Sequence, residues 1–294
     1  MNPIQKEIIR KGYEIMKQSN LTICAIARDC NQGLINNIPV LEKFRYNFKA
    51  SNVIVFENDS VDGTKQTLKQ WSNDYPNVNI ISSDFNTITI PNDSLDGVNK
   101  YHSFFRITKM AEYRNNYLRV LNESDFLADY VIIIDLDISE LSIDGVAHSF
   151  GLADRWDVVC ANGYWRSTSL RKRYFDTYAL VELGRENETQ TENTIYWDHF
   201  VWSFLRPGLP LIPVYSAFGG MAIYKFEVLK NISYSVIMNN DKRVEVKCEH
   251  FSLCDSIRKA GFSRIFINPN MTLNNHRITW KGIIGLIKRT LKRE

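Results

Sequence analysis

Two rhythms of apolar residues divide the first half of this chain. Short apolar-rich stretches at residues 21–27, 52–56, 77–82 and 130–134 read as strands, the last of them an uncharged run buried on both faces. Between them, apolar residues return at helical steps. Ile4, Ile8, Ile15 and Met16 lie on one side of residues 3–18. Leu34, Ile38, Leu41 and Phe48 mark a second helix, Val61, Thr64, Leu68 and Trp71 a third, and residues 101–121 a fourth. This β-α-β-α-β order predicts an α/β fold built on a doubly wound, mostly parallel sheet. Ligands on such sheets bind beyond the carboxyl ends of the strands. Arg28-Asp29, Glu57 to Asp62, and Asp135 with Asp137 all fall at such ends.

The second half is less regular. Residues 156–161 predict a strand, and an aromatic and basic stretch follows at 164–178, containing Arg171-Lys-Arg173. Residues 214–224 form a strand-like run broken by Gly219-Gly220, which implies either a close backbone approach, as by a ligand, or a simple turn. Glu249-His250 precede a helix, and residues 262–267 a strand. In the tail, Trp280, Ile283, Ile284, Ile287 and Leu291 make one helical stripe flanked by Lys281, Lys288, Arg289 and Lys292. A basic amphipathic helix with an aromatic residue predicts attachment to a membrane surface.

Composition adds little but excludes much. The 294 residues are 44% hydrophobic and 12% aromatic, enough for a large core and too apolar for disorder. The net charge of +3 divides into +5 from residue 277 onward and −2 for the rest, so the body has no nucleic-acid footprint. Five scattered cysteines without a Cys-x-x-Cys pair read as reduced core residues. No signal-peptide pattern opens the chain and no apolar run is long enough to span a membrane, which predicts a cytoplasmic protein.

The chemistry centres on Asp135 and Asp137. Two carboxylates two positions apart share one face of an extended backbone. Held together at the end of a buried strand, they need a cation, and Mg2+ or Mn2+ carrying a ligand's phosphate oxygens satisfies both.

With this pair and the turn Glu57-Asn-Asp-Ser-Val-Asp-Gly-Thr64 in view, the chain resembles GT-A fold, nucleotide-sugar-dependent glycosyltransferases; Arg114-Asn115 on the intervening helix fits the same pattern. The second half resembles a narrower group, the capsular α-mannosyltransferases and their bacterial relatives. That likeness runs through Trp156-Asp-Val-Val-Cys160, Tyr174-Phe-Asp-Thr-Tyr178, Val214-Tyr-Ser-Ala-Phe-Gly-Gly-Met221 and Cys248-Glu-His-Phe251. A fainter likeness to the glycosyltransferase domain of lysyl hydroxylases involves Asp135, Asp137 and His276.

The resemblance implies one GT-A domain over residues 1–275, its nucleotide-sugar half at about 20–137 and its acceptor half at 138–275, followed by the tail helix at 276–294. The donor is a UDP- or GDP-linked hexose and the cofactor Mn2+ or Mg2+. Asp137 binds the metal, Asp135 the same metal or the ribose, and His276 completes the metal shell. Glu57 and Asp59 sit by the base and ribose, with Arg28 at the neighbouring strand end, and Arg114 anchors the site. Glu249 and His250 fall where related inverting enzymes carry a Glu-Asp pair whose second acid is the base. His250 departs from that pattern; in a retaining enzyme Glu249 orients the acceptor instead. The acceptor is a saccharide, lipid-linked in surface-polysaccharide synthesis at the inner face of the plasma membrane. Three rivals are a haloacid-dehalogenase-type phosphohydrolase, a sugar-nucleotide pyrophosphorylase and a non-catalytic saccharide-binding protein. The first places its Asp-x-Asp at the opening of the chain, and the second needs a basic Gly-rich loop that residues 28–33 do not supply.

Overall fold

A computed structural model of the protein describes residues 2–88, 100–166, 172–188, 205–241 and 244–275. Its first half alternates α1 (Pro3–Gln18), β1 (Asn20–Ala27), α2 (Asn31–Arg45), β2 (Ala50–Asn58), α3 (Thr64–Asp74), β3 (Val78–Ser83), α4 (Phe104–Glu123) and β4 (Tyr130–Ile134). The second half adds β5 (Glu140–Leu141), α5 (Ile143–Gly151), β6 (Val158–Arg166), β7 (Lys172–Tyr174), β8 (Ile212–Pro213), β9 (Met221–Lys225) and α6 (Phe226–Leu229). It ends with β10 (Met238–Asp241), β11 (Val244–Val246), α7 (Glu249–Lys259) and β12 (Ile265–Asn274).

One ten-stranded sheet joins both halves in the order β3-β2-β1-β4-β9-β6-β12-β5, with β7 on β6 and β8 on β12. Strands β3, β2, β1 and β4 are mutually parallel, as are β6 and β12, whereas β9 runs antiparallel to β4 and β6. The carboxyl ends of β1, β2, β4, β6 and β12 therefore share one edge. The sheet is thus mixed and mostly parallel in strand direction, as the GT-A resemblance implies.

The unbroken apolar run of β4 follows from burial on both faces. Val131 and Ile133 pack with Tyr117, Leu118 and Leu121 of α4 and with Leu253 and Ile257 of α7. Ile132 and Ile134 face the opposite core, with Met16 of α1, Leu34 and Leu41 of α2 and Phe150 of α5. Helix starts follow local capping: Asn2 accepts the Gln5 N–H at 2.9 Å, and Ser142 accepts the Gly145 N–H at 3.1 Å.

Four sequence expectations shift. Helix α2 ends at Arg45, and Phe48 is core outside it, edge-on to Phe44 and Phe150. Val61 is 91% exposed, because α3 starts only after the left-handed Gly63. Helix α4 begins at Phe104, after a single 3-10 turn over Lys100–His102. The run at 214–224 is a strand only over Met221–Lys225.

The reason for the last shift is steric. Gly219 and Gly220 have φ of +68° and +87°. A Cβ on Gly219 would lie 2.4 Å from the Ala161 carbonyl oxygen, and one on Gly163 2.0 Å from that of Gly219. The close approach is thus made by the protein's own strand β6. All five cysteines are unpaired, four of them buried. No helix among the described residues is long and apolar enough to cross a membrane. His276, Arg171 and the tail helix lie outside the described residues.

Candidate active site

The shared carboxyl edge opens into a cleft of about 710 Å³. Arg28, Asp29 and Asn58 approach it from the ends of β1 and β2, and Asp135 and Asp137 from the end of β4. Phe175, Asp176 and Tyr178 follow β7, and Cys248, Glu249 and His250 open α7. One face of α4 forms a wall: Arg106, Met110, Tyr113 and Arg114 stand at i, i+4, i+7 and i+8.

Asp135 sits at the floor, its N–H donated to the Gly220 carbonyl at 2.9 Å. Burial pushes its carboxyl up to about 8; Arg114 opposes the rise, and Asp137, Asp176 and Glu249 add to it. Asp137 is exposed to the cleft, and its backbone is clamped from behind. Asn37 of α2 donates to the carbonyls of Leu136 and Ile138, both at 2.7 Å. Gly33 lets α2 close in, since a Cβ there would lie 2.8 Å from the Asp137 Cα.

Glu249 and Arg114 form a buried ion pair, Nε to Oε1 at 3.1 Å. Glu249 is also the first residue of α7, where the helix dipole favours a carboxylate. Arg114 lies near the rings of Phe218 and Tyr234, at 5.4 and 5.8 Å. His250 is 2% exposed and stacked on Phe218 at 3.8 Å. Burial drives its pKa far below the usual range and Arg114 adds to the effect, so the ring is neutral. Among the described residues, neither ring nitrogen of His250, nor Nη1 of Arg114, meets a hydrogen-bond partner.

Not every expected residue reaches the cleft. Glu57 is fully buried away from it, with Oε1 accepting the Ser60 N–H at 2.9 Å and Oε2 the Ser82 hydroxyl. Asp59 is also turned into the protein. It accepts the N–H groups of Phe85 and Asn86 at 2.7 and 2.8 Å and the Asn58 amide at 3.0 Å. Burial alone would raise its pKa, but the bonds from Asn58, Asn86, Phe85 and Thr87 win and hold the carboxyl at about 2. These two acids brace the loops that shape the cleft. Asp59 also holds Phe85, which stacks on Tyr113 at 5.8 Å. Arg28 ties the same loop down through the Thr87 carbonyl at 3.0 Å.

Sequence reasoning gave no role to Arg106, Asn37 or Asp176. The helical repeat from Arg106 to Arg114 was the available signal for the first. Asp176 lay within the Tyr174-Phe-Asp-Thr-Tyr178 likeness without a role and Asn37 had no signal, because only the fold brings residue 37 behind Asp137 and residue 176 beside the Gly219-Gly220 turn.

The lining holds three arginines against five carboxylates. That excess of negative charge repels a diphosphate unless a cation joins it, so the donor set fits a hard divalent ion. Among the described residues, no three His, Cys, Asp or Glu side chains gather as a complete metal shell. A cation held by Asp135 and Asp137 would need a ligand's oxygens or a further residue to complete its shell.

Residues 22–255 match the family described as Cryptococcal mannosyltransferase 1. No curated protein matches the chain. Among solved structures, the mannosyltransferase PcManGT from Pyrobaculum calidifontis, in complex with GDP-Man and Mn2+, is 12% identical. The overlay covers 98% of this chain and 72% of that one at a TM-score of 0.48. Residues 1–349 of S. aureus TarS are 14% identical, with 86% and 59% covered at 0.46. Glucosyl-3-phosphoglycerate synthase from Mycobacterium tuberculosis, with Mn2+, UDP and glucosyl-3-phosphoglycerate, is 13% identical, with 97% and 83% covered at 0.47.

Proposed function

The chain belongs to the Cryptococcal mannosyltransferase 1 family and is a glycosyltransferase of the nucleotide-sugar type, and from that premise we propose that it transfers a hexose to a saccharide acceptor with the help of a divalent cation. One observation carries the reading: Asp135, Asp137 and three arginines converge on a single cleft at the carboxyl edge of the sheet. Asp135 and Asp137 hold the cation. Bound there, Mn2+ or Mg2+ supplies positive charge against the diphosphate as the glycosidic bond to it breaks.

The chain's own groups do the rest. Ala27, Asn58, Ile88, Met110 and Tyr113 offer a largely apolar wall for the nucleoside, while Arg28 and Arg106 add positive charge on the same side. Arg114 is fixed by Glu249 at the floor, where the phosphates meet the sugar. The neutral, stacked His250 acts by hydrogen bonding. Its depressed basicity makes it a poor proton acceptor at neutral pH.

His276 is a further metal ligand in this reading. Asn275 donates its N–H to the Tyr164 carbonyl at 3.0 Å, and its Oδ1 lies 3.0 Å from a Cβ built on Gly220, the residue that accepts the Asp135 N–H. Asn275, the residue before His276, thus stands next to the backbone that holds Asp135.

The tail supports a second element of the proposal, attachment to the anionic inner face of a membrane, where a lipid-linked acceptor resides. Ile284→Asp with Ile287→Asp should abolish co-sedimentation with phosphatidylserine vesicles; unchanged sedimentation removes the membrane from the account.

The test of the activity is release of nucleoside diphosphate from GDP-mannose and UDP-glucose in the presence of Mn2+. Asp137→Ala should lower the rate by at least about 10²-fold, the usual scale for losing a charge-stabilising group. A variant as active as the parent would mean that the carboxylate pair has no part in the reaction.

A further inference from the structure

Asp176 and Asp29 are the cleft carboxylates that the reading above leaves without a task, and of the two Asp176 is the one at the Asp135 end of the cleft. It occupies a costly backbone conformation, φ +63°, uncommon outside glycine. Its carbonyl accepts the N–H of Ala179 at 3.2 Å, and the backbone N–H groups of Ala179 and Gly219 beside its carboxyl oppose the upward shift that burial imposes. Gly219-Gly220 therefore lies between two acids: Gly219 adjoins the Asp176 side chain, and the Gly220 carbonyl holds the Asp135 backbone. The turn cannot yield, because Gly219 is pressed against Ala161 and Gly163. Asp176 is thus rigidly placed next to the Asp135 end of the cleft, on the side away from the nucleoside wall.

The neighbouring polar atoms complete a pattern. The other acid at this end, Glu249, spends Oε1 on Arg114, and Asp29 spends Oδ1 on the Val61 N–H at 2.8 Å. Arg114 and His250 line the same cleft, each more than nine-tenths buried, and Nη1 of Arg114 and both ring nitrogens of His250 lie just beneath its surface without partners among the described residues. A carboxylate acceptor in one cleft with a guanidinium donor and a neutral imidazole is complementary to hydroxyl groups, which donate and accept at once. Phe175 supplies apolar surface in the same part of the cleft.

Resting on the glycosyltransferase reading above, we propose that Asp176 binds a hydroxyl of the donor's hexose, with Arg114 and His250 opposite, and so selects which sugar the enzyme accepts.

The experiment compares the binding of nucleoside diphosphate and nucleotide sugar by calorimetry, with Mn2+, using GDP with GDP-mannose and UDP with UDP-glucose. Asp176→Asn suits the test because asparagine tolerates positive φ. Asp176→Gly is the second variant, at ease in the same backbone and lacking the whole side chain. Both should bind the diphosphate within about twofold of the parent and the nucleotide sugar roughly ten- to a hundredfold more weakly, the scale of one charged hydrogen bond. Unchanged affinity for the nucleotide sugar would overturn the inference, even with slower transfer. So would an equal loss for both ligands, which marks a structural role. If the parent binds neither nucleotide, the function proposed above fails first and this inference with it.

Discussion

Asn37 and Arg114 do the least visible positioning at this site. Asn37 never touches the cleft, yet its amide satisfies two buried carbonyls on either side of Asp137. Asn37→Leu leaves both carbonyls unpaired and should cost on the order of 2–3 kcal/mol in a urea titration. It should also weaken metal-dependent nucleotide binding, whereas a bystander would lose stability alone. Arg114 and Glu249 are a buried pair, and removing one partner strands the other. Arg114→Met should therefore destabilise the protein by about 3–5 kcal/mol, and adding Glu249→Leu should recover part of that. A double variant less stable than the single one would contradict this account of the pair. Residue identity alone told little here. Glu57 and Asp59 carry the acidic character expected at a donor site, but their oxygens are consumed by Ser60, Ser82, Phe85 and Asn86. A sequence reveals that an acid exists, and the backbone N–H groups that fold around it decide its use.

At the level of elements, the strands were legible because burial on both sheet faces leaves uninterrupted apolar runs such as Val131 to Ile134. Helix ends were less so: Val61 and Phe48 keep the period of their neighbours yet lie outside α3 and α2, where Gly63 and Arg45 set the boundaries. The paired glycines were visible, but their cause was not. Gly219→Ala forces a Cβ to within 2.4 Å of the Ala161 oxygen at φ +68° and should cost more than about 2 kcal/mol. It should also reduce nucleotide-sugar binding, because the same turn holds the Asp135 backbone and adjoins Asp176. Helices α1 and α5 pack in a similar way. A Cβ on Gly12 would meet the Ala147 oxygen at 1.7 Å, so Gly12→Ala must push the helices apart and lower the melting temperature. Lying on the far face from α4 and α7, this change should spare the affinity for nucleotide in whatever fraction stays folded.

The molecule as a whole should weaken in mild acid. His102 is held near 4 by burial and by Arg106, and burial also lowers His148 and, further still, His250. Each stays neutral when folded but takes up a proton when unfolded, near the ordinary histidine pKa of about 6.5. Through these histidines the unfolded state binds more protons, so their contribution is full above that pH and falls as the pH drops toward 4, offset in part by Asp135 and Asp176, whose raised carboxyls take up protons first in the folded state. His102→Phe, which keeps the stack on Tyr178, should flatten part of that slope in pH-dependent urea melts. An unchanged slope would show that His102 titrates normally. On this scale the sequence was most informative, because the order of strands and helices decides which loops share an edge. It could not say that Asp176 joins Asp135 there, since that depends on β9 returning antiparallel between β4 and β6. The central claim is that Asp135 and Asp137 hold a cation with the donor's diphosphate. Calorimetric titration with GDP and with UDP, each with and without Mn2+, tests it most directly. The account predicts that one nucleotide binds with Mn2+ at least tenfold more tightly than without, and that Asp137→Ala removes the difference. Binding that is indifferent to the metal, in the parent as in the variant, would contradict it.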